Sequence, residues 1–117
     1  MTQLEKILEI KKKRANILRN FQDYLNIIVK KSHEVLNNPK IYLFGSALQN
    51  KLVASSDIDI LIVAEVPKKH LLRTKLLAEI EEKSKLPLYH PFDIHLIDFY
   101  ELKKWKKIYK LKLKKIN

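Results

Sequence analysis

The stretch Ile41-Tyr42-Leu43-Phe44-Gly45-Ser46, followed after ten residues by Asp57-Ile58-Asp59-Ile60-Leu61-Ile62-Val63, decides how this chain folds. The first segment is a short apolar run ending on glycine and serine, which predicts a buried strand that breaks into a tight turn. The second predicts a strand with a polar entrance. Successive side chains of an extended chain point to opposite faces, so Asp57 and Asp59 are expected on one face about 6.6 Å apart along the strand, with Ile58, Ile60 and Ile62 packed beneath. Folding alone does not ask for two carboxylates on one face, because each raises the other's pKa unless a cation or hydrogen-bond donors sit between them. Mg²⁺ meets that need: it takes hard oxygen ligands, usually one or two carboxylates, and leaves positions for water and substrate phosphates. The Gly45-Ser46 turn complements it. With no Cβ at Gly45, backbone N–H groups can approach a phosphate, and the Ser46 hydroxyl and a following helix N-terminus add donors.

Strand, Gly-Ser, ten-residue spacer and Asp-Ile-Asp-Ile together resemble the signature of the minimal nucleotidyltransferases, small members of the DNA polymerase beta-like nucleotidyltransferase superfamily. The resemblance extends over roughly residues 41–97, because such families carry a third carboxylate on a later strand and Phe92-Asp93-Ile94-His95-Leu96-Ile97 offers Asp93 in an apolar setting. It implies that Asp57, Asp59 and Asp93 hold two Mg²⁺ ions, and that Gly45 and Ser46 hold the phosphates of ATP or another NTP. The implied reaction moves a nucleoside monophosphate onto an acceptor hydroxyl. The implied partner is a helical HEPN-type protein, with this chain as the antitoxin-like member of a pair. Ala47 and Asn50 stand where close relatives often carry arginine and glycine, which leaves phosphate charge to the metal, the backbone and some other Lys or Arg. The alternative function is a non-catalytic module of the same fold that holds a partner protein or RNA.

A chain of 117 residues with 46% apolar content fits one domain with a core of its own. It divides into an N-terminal helical part over 1–37, a catalytic core over 40–98 and a basic C-terminal helix and tail over 99–117. The absence of cysteine excludes disulfides and thiolate metal sites. No signal peptide is visible, and the longest apolar run, Ile60 to Ala64, is far too short to cross a bilayer, so a cytoplasmic protein without membrane contact is expected. The net charge of +11 is concentrated: eight lysines and no acid lie between Lys103 and Lys115, and Lys11-Lys12-Lys13-Arg14 forms a second cluster. Such patches attract nucleotides, RNA or acidic proteins, or serve as a solvated face. A partner protein is favoured over RNA, because Trp105 and Tyr109 fit an inward helical stripe better than an exposed stacking platform.

Residues 2–37 contain neither Gly nor Pro and read as helix. Apolar residues from Ile17 to Leu36 recur at three- and four-residue spacing, whereas Lys11 and Arg14 interrupt the stripe begun by Leu4, Ile7 and Leu8. The first thirteen residues are thus expected to project as an arm or to pack on another subunit, as in a homo-oligomer. Strands are expected at Lys40 to Phe44, Asp57 to Val63 and Phe92 to Ile97. A short helix is expected from Ala47 to Lys51, and a longer one from Pro67 to about Lys83 with Leu71, Leu72, Leu76, Leu77 and Ile80 inward. Asp98 and Glu101 read as a capping pair, so a last helix should start at Phe99 and carry Leu102, Trp105 and Ile108 inward. Residues 109–114 read as a strand, as more helix or as a frayed end. The expected fold is mixed α/β, in the order α-β-α-β-α-β-α: a small mixed sheet with helices on one side, similar to the palm-like core of nucleotidyltransferases.

Among other candidates, His95 shares the face of Asp93 and could touch a phosphate or base, a hydrogen-bonded structural histidine being the competing reading. His33, His70 and His90 share no spacing that suggests zinc. Ser46 has no His or Asp around it that would make a hydrolase triad.

Overall fold

The computed structural model describes residues 1–45, 57–109 and 113–116. Ser46, the short helix expected from Ala47 to Lys51 and the Ser55-Ser56 turn lie outside the described residues, as does the inward side chain expected at Ile108.

The N-terminal region is two helices rather than one, α1 (Gln3–Arg19) and α2 (Phe21–Val35). Neither Gly nor Pro causes the break. The side-chain amide of Asn20 donates to the Asn16 carbonyl at 3.0 Å, while its backbone N–H is shared between the Asn16 and Ile17 carbonyls. A polar side chain thus competes for the groups that would continue the helix, and φ −112°, ψ 25° at Asn20 turns the chain. Thr2 caps the start of α1 by accepting from the Glu5 N–H. The first half of α1 leaves Leu4, Ile7 and Leu8 exposed, and burial begins only at Ile17 and Leu18. After α2, Asn38 at φ 47° and Pro39 stop the helix and start the sheet.

Strands β1 (Lys40–Phe44), β2 (Ile58–Val63), β3 (Phe92–Ile97) and β4 (Lys114–Lys115) form one sheet in the order β3-β2-β1-β4. β1 is antiparallel to β2 and β4, and β2 is parallel to β3 through helix α3 (His70–Lys83). Of the ambiguous lysine-rich end, Tyr109 closes α4 (Phe99–Tyr109) and Lys114 opens β4, which pairs with β1, while residues 110–112 lie outside the described residues. The capping pair forms as expected. The Glu101 N–H donates to Asp98 Oδ1 at 2.7 Å, and the Asp98 N–H donates to Glu101 Oε1 at 3.1 Å.

Helices cover both faces of the sheet, not one. Ile41, Leu43, Ile58, Ile60, Ile62, Phe92, Ile94 and Leu96 point to the face shared with α1, α2 and α3. Leu61, Val63 and Ile97 point to the other, where Leu102 and Trp105 of α4 meet them together with Tyr42, Phe44 and Leu113. The strands' strict alternation dictates this, because β2 is apolar on both sides beyond its first turn and each apolar face must be covered. α3 also differs from its expected register. It starts at His70, three residues beyond Pro67, and leaves Leu71 and Leu72 exposed while Ile80 is fully buried.

Candidate functional site

Backbone register assembles the site before any side chain is considered. Phe44 on β1 is opposite Asp59 on β2, and Asp59 is opposite Asp93 on β3, so one row across three strands places two carboxylates side by side on the α4 face. His95 follows two residues after Asp93 on the same face. One ligand atom from each of Asp59, Asp93 and His95 falls within 4.8 Å of the others. His95 Nε2 lies 3.3 Å from Asp93 Oδ2. Burial raises the Asp59 carboxyl above the ordinary carboxylate range, and repulsion from Asp93 and Asp57 adds to this while His95 opposes it. Two hard oxygen donors and an imidazole, with one acid destabilised by its neighbour, make a donor set that fits a divalent cation, whose charge would remove that repulsion.

Gly45 closes one side. It follows Phe44 at the end of β1 with φ +75°, and a Cβ built on it would run into Asp59 Oδ2. Both facts demand glycine, the first through backbone strain and the second because the carboxylate lies against the turn.

Asp57 is placed differently. It stands just before β2, its side chain is 59% exposed, and its Oδ1 accepts from Nη2 of Arg14 on α1 at 2.6 Å. The structure therefore brings Asp59, Asp93 and Gly45 together, adds His95 to them, and turns Asp57 toward α1 rather than into the same cluster. Ser46 lies outside the described residues. Sequence reasoning did not single out Arg14 as Asp57's partner, although one signal was present: a cation interrupting the apolar stripe of α1 at a position that faces inward.

Aromatic rings frame the cluster. His95 packs against Phe44 and Trp105 at centroid distances of 5.7 and 5.4 Å, and Phe44 meets Trp105 edge-on at 6.5 Å. Behind His95, along the outer edge of β3, a groove of about 310 Å³ opens between α3 and α4, lined by His70, Arg73, Thr74, Glu101 and Trp105 among others. Arg73 locks its far wall. The guanidinium bonds the Pro67 carbonyl, Glu101 and Asp98 and is only 14% exposed, so it ties α3 to the cap of α4.

Three comparisons bear on these features. The family model described as "nucleotidyltransferase domain" matches residues 24–116. No protein of curated function matches the chain. Among solved structures, a candidate nucleotidyltransferase is 23% identical with a TM-score of 0.62, over 80% of this chain and 97% of that one. A second, from Sulfolobus solfataricus, is 18% identical with a TM-score of 0.53, over 91% and 83%. A toxin–antitoxin structure with AMP-PNP is 24% identical with a TM-score of 0.51, over 77% and 69%. These likenesses extend to the fold.

Proposed function

The chain belongs to the nucleotidyltransferase domain family, and from that premise we propose that it transfers a nucleoside monophosphate from an NTP, with ATP as the donor, to an acceptor hydroxyl. The observation that carries the reading is the pair Asp59 and Asp93 side by side on neighbouring strands, with Gly45 against Asp59 and His95 beside Asp93. Mg²⁺ bound there, as two ions, supplies charge for the α-phosphate and the departing pyrophosphate and lowers the pKa of the attacking hydroxyl. Asp59 and Asp57 are the carboxylates offered to the metals, and Asp93 completes the set on the acceptor side. The acceptor oxygen forms a bond to the α-phosphorus as the bond to pyrophosphate breaks. Its proton passes to Asp93, whose carboxylate His95 orients through the 3.3 Å contact. Gly45 and Ser46 hold the β- and γ-phosphates through backbone N–H groups and a hydroxyl. The acceptor enters along the groove beside His95, where α4 and α3 part.

The toxin–antitoxin neighbour with AMP-PNP supports an NTP as the donor and a protein partner for the chain. The chain's place among minimal nucleotidyltransferases paired with a HEPN-type protein belongs to the same proposal. Transfer of labelled nucleotide that needs Mg²⁺ and disappears in Asp59→Asn is the expected result. Undiminished transfer in that variant removes the proposed site. A second reading, a non-catalytic module that binds a partner or RNA through its lysines, is favoured by the exposed Lys103, Lys104, Lys114 and Lys115 alone. No helix among the described residues is long and apolar enough to cross a membrane.

A further inference from the structure

Resting on that reading, we propose that Arg14 is a nucleotide-binding residue, held on Asp57 until a metal takes that carboxylate and then transferred to the phosphates of the incoming nucleotide. The chain has three arginines, and they are placed for different work. Arg73 is committed to Asp98, Glu101 and the Pro67 carbonyl. Arg19 sits in the last turn of α1, on the side that faces Glu9, Lys13 and Asn16. Arg14 lies one turn before the buried Ile17 and Leu18, so its side chain leaves α1 toward the sheet and reaches Asp57, two residues from Asp59.

Magnitudes favour an exchange. The Asp57 side chain is 59% exposed, so water screens its share of the ion pair, while the Arg14 side chain is 23% exposed. A guanidinium facing phosphate can make two parallel charge-assisted bonds, each roughly twice as strong as a neutral one. A phosphate group carries more charge and more acceptor oxygens than a carboxylate, so it competes for the same guanidinium. Asp57 Oδ1 cannot serve a metal and keep Arg14 on the same oxygen at 2.6 Å without loss to one of them. The long side chain of Arg14, rather than movement of α1, supplies the reach, because Ile17 and Leu18 one turn further on are buried in the core with the sheet.

Removal of Arg14 should therefore act in opposite directions on the two ligands. In Arg14→Ala, calorimetric titration with Mg²⁺ alone should show equal or tighter binding by about two- to fivefold, because a competing cation is gone. A non-hydrolysable ATP analogue with Mg²⁺ should bind about tenfold or more weakly, because charge-assisted phosphate bonds are lost. Arg14→Lys should recover part of the nucleotide affinity but not the bidentate share. Arg19→Ala, which removes the same charge from the same helix, should change neither constant, and thermal melts monitor folding in all variants. If the unaltered chain binds no nucleotide, the transferase reading fails and takes this assignment with it. If it binds nucleotide normally and Arg14→Ala weakens both ligands alike, or neither, Arg14 only anchors α1 and the assignment alone is overturned.

Discussion

The two faces of the sheet are made from alternate residues of the same strands, yet they are finished differently. One face presents an unbroken apolar set, Ile41, Leu43, Ile58, Ile60, Ile62, Phe92, Ile94 and Leu96, sealed by three helices. The other is apolar at Leu61, Val63 and Ile97, under α4, but at the opposite end it gives way to Asp59, Asp93 and His95. Rigidity is therefore supplied from below to a site whose own face is only half covered. Asp59 is held by its neighbours Ile58 and Ile60, which are fully buried on the reverse side. A carboxylate with like-charged company is tolerated because the residues flanking it contribute the stability that it does not.

The comparison is broken most severely by Asp59→Asn. On the proposed function transfer should fall about 10³-fold or more, since the reading makes Asp59 a metal ligand supporting several kcal/mol of transition-state charge. The melting temperature should hold or rise, and a parallel loss of both would mean that Asp59 is part of the framework. Its neighbour on the reverse face should behave conversely: Ile60→Ala should cost about 2–4 kcal/mol in denaturant unfolding, from lost transfer energy and a cavity. Transfer per folded molecule, assayed well below the new midpoint, should remain near that of the unaltered chain.

How much of this could be read in advance follows the range of the interactions. β1 and β3 were legible to the residue, because apolar runs bounded by Pro39, Gly45, Pro91 and Asp98 leave no freedom in where a strand begins. The start of α4 was equally clear from Asp98 and Glu101, three residues apart. Asn20 was not, since an asparagine breaks a helix only when its amide finds a carbonyl such as that of Asn16. The placement of α4 on the second face was missed because the alternation of a strand says that a face is apolar without saying which element returns to cover it. The direction of Asp57 depends on Arg14, more than forty positions earlier, and no local pattern carries that information.

Gly45 joins the two faces at a corner, and Gly45→Ala sharpens the contrast at intermediate scale. Positive φ should cost about 1–2 kcal/mol of stability. The added methyl should push the Asp59 carboxylate aside and weaken Mg²⁺ binding about tenfold, which a titration would read. Unchanged affinity would show that the displaced oxygen is not a ligand.

Smaller still is the pH effect. The Asp59 carboxyl titrates above its ordinary value, so the protonated form is favoured by folding. That contribution is present in acid, below the unfolded value, and is lost as pH rises through the raised folded value. Asp59→Asn should consequently be more stable than the parent at neutral pH, with the difference closing in acid. Melting curves across that range test it, and a difference that grows in acid would reverse the assigned cause. The smallest effect is expected at Lys103, Lys104, Lys114 and Lys115, all exposed. Replacing them by Gln should leave stability within about 0.5 kcal/mol. Partner and RNA binding at two salt concentrations then show whether these lysines hold anything: loss confined to RNA would favour the nucleic acid over a protein partner.

The pairing of β4 with β1 sets an order of events during synthesis. β1 can pair with β2 as soon as that next strand has emerged, but Tyr42 and Leu43 meet Lys115 and Lys114 only after α3, β3 and α4 have followed. Until then the outer edge of β1 offers unpaired backbone groups to any passing strand. Two paired residues at the end of a lysine-rich tail are a short closure for that edge, and charge on the approaching segment keeps nascent chains apart while they wait for it.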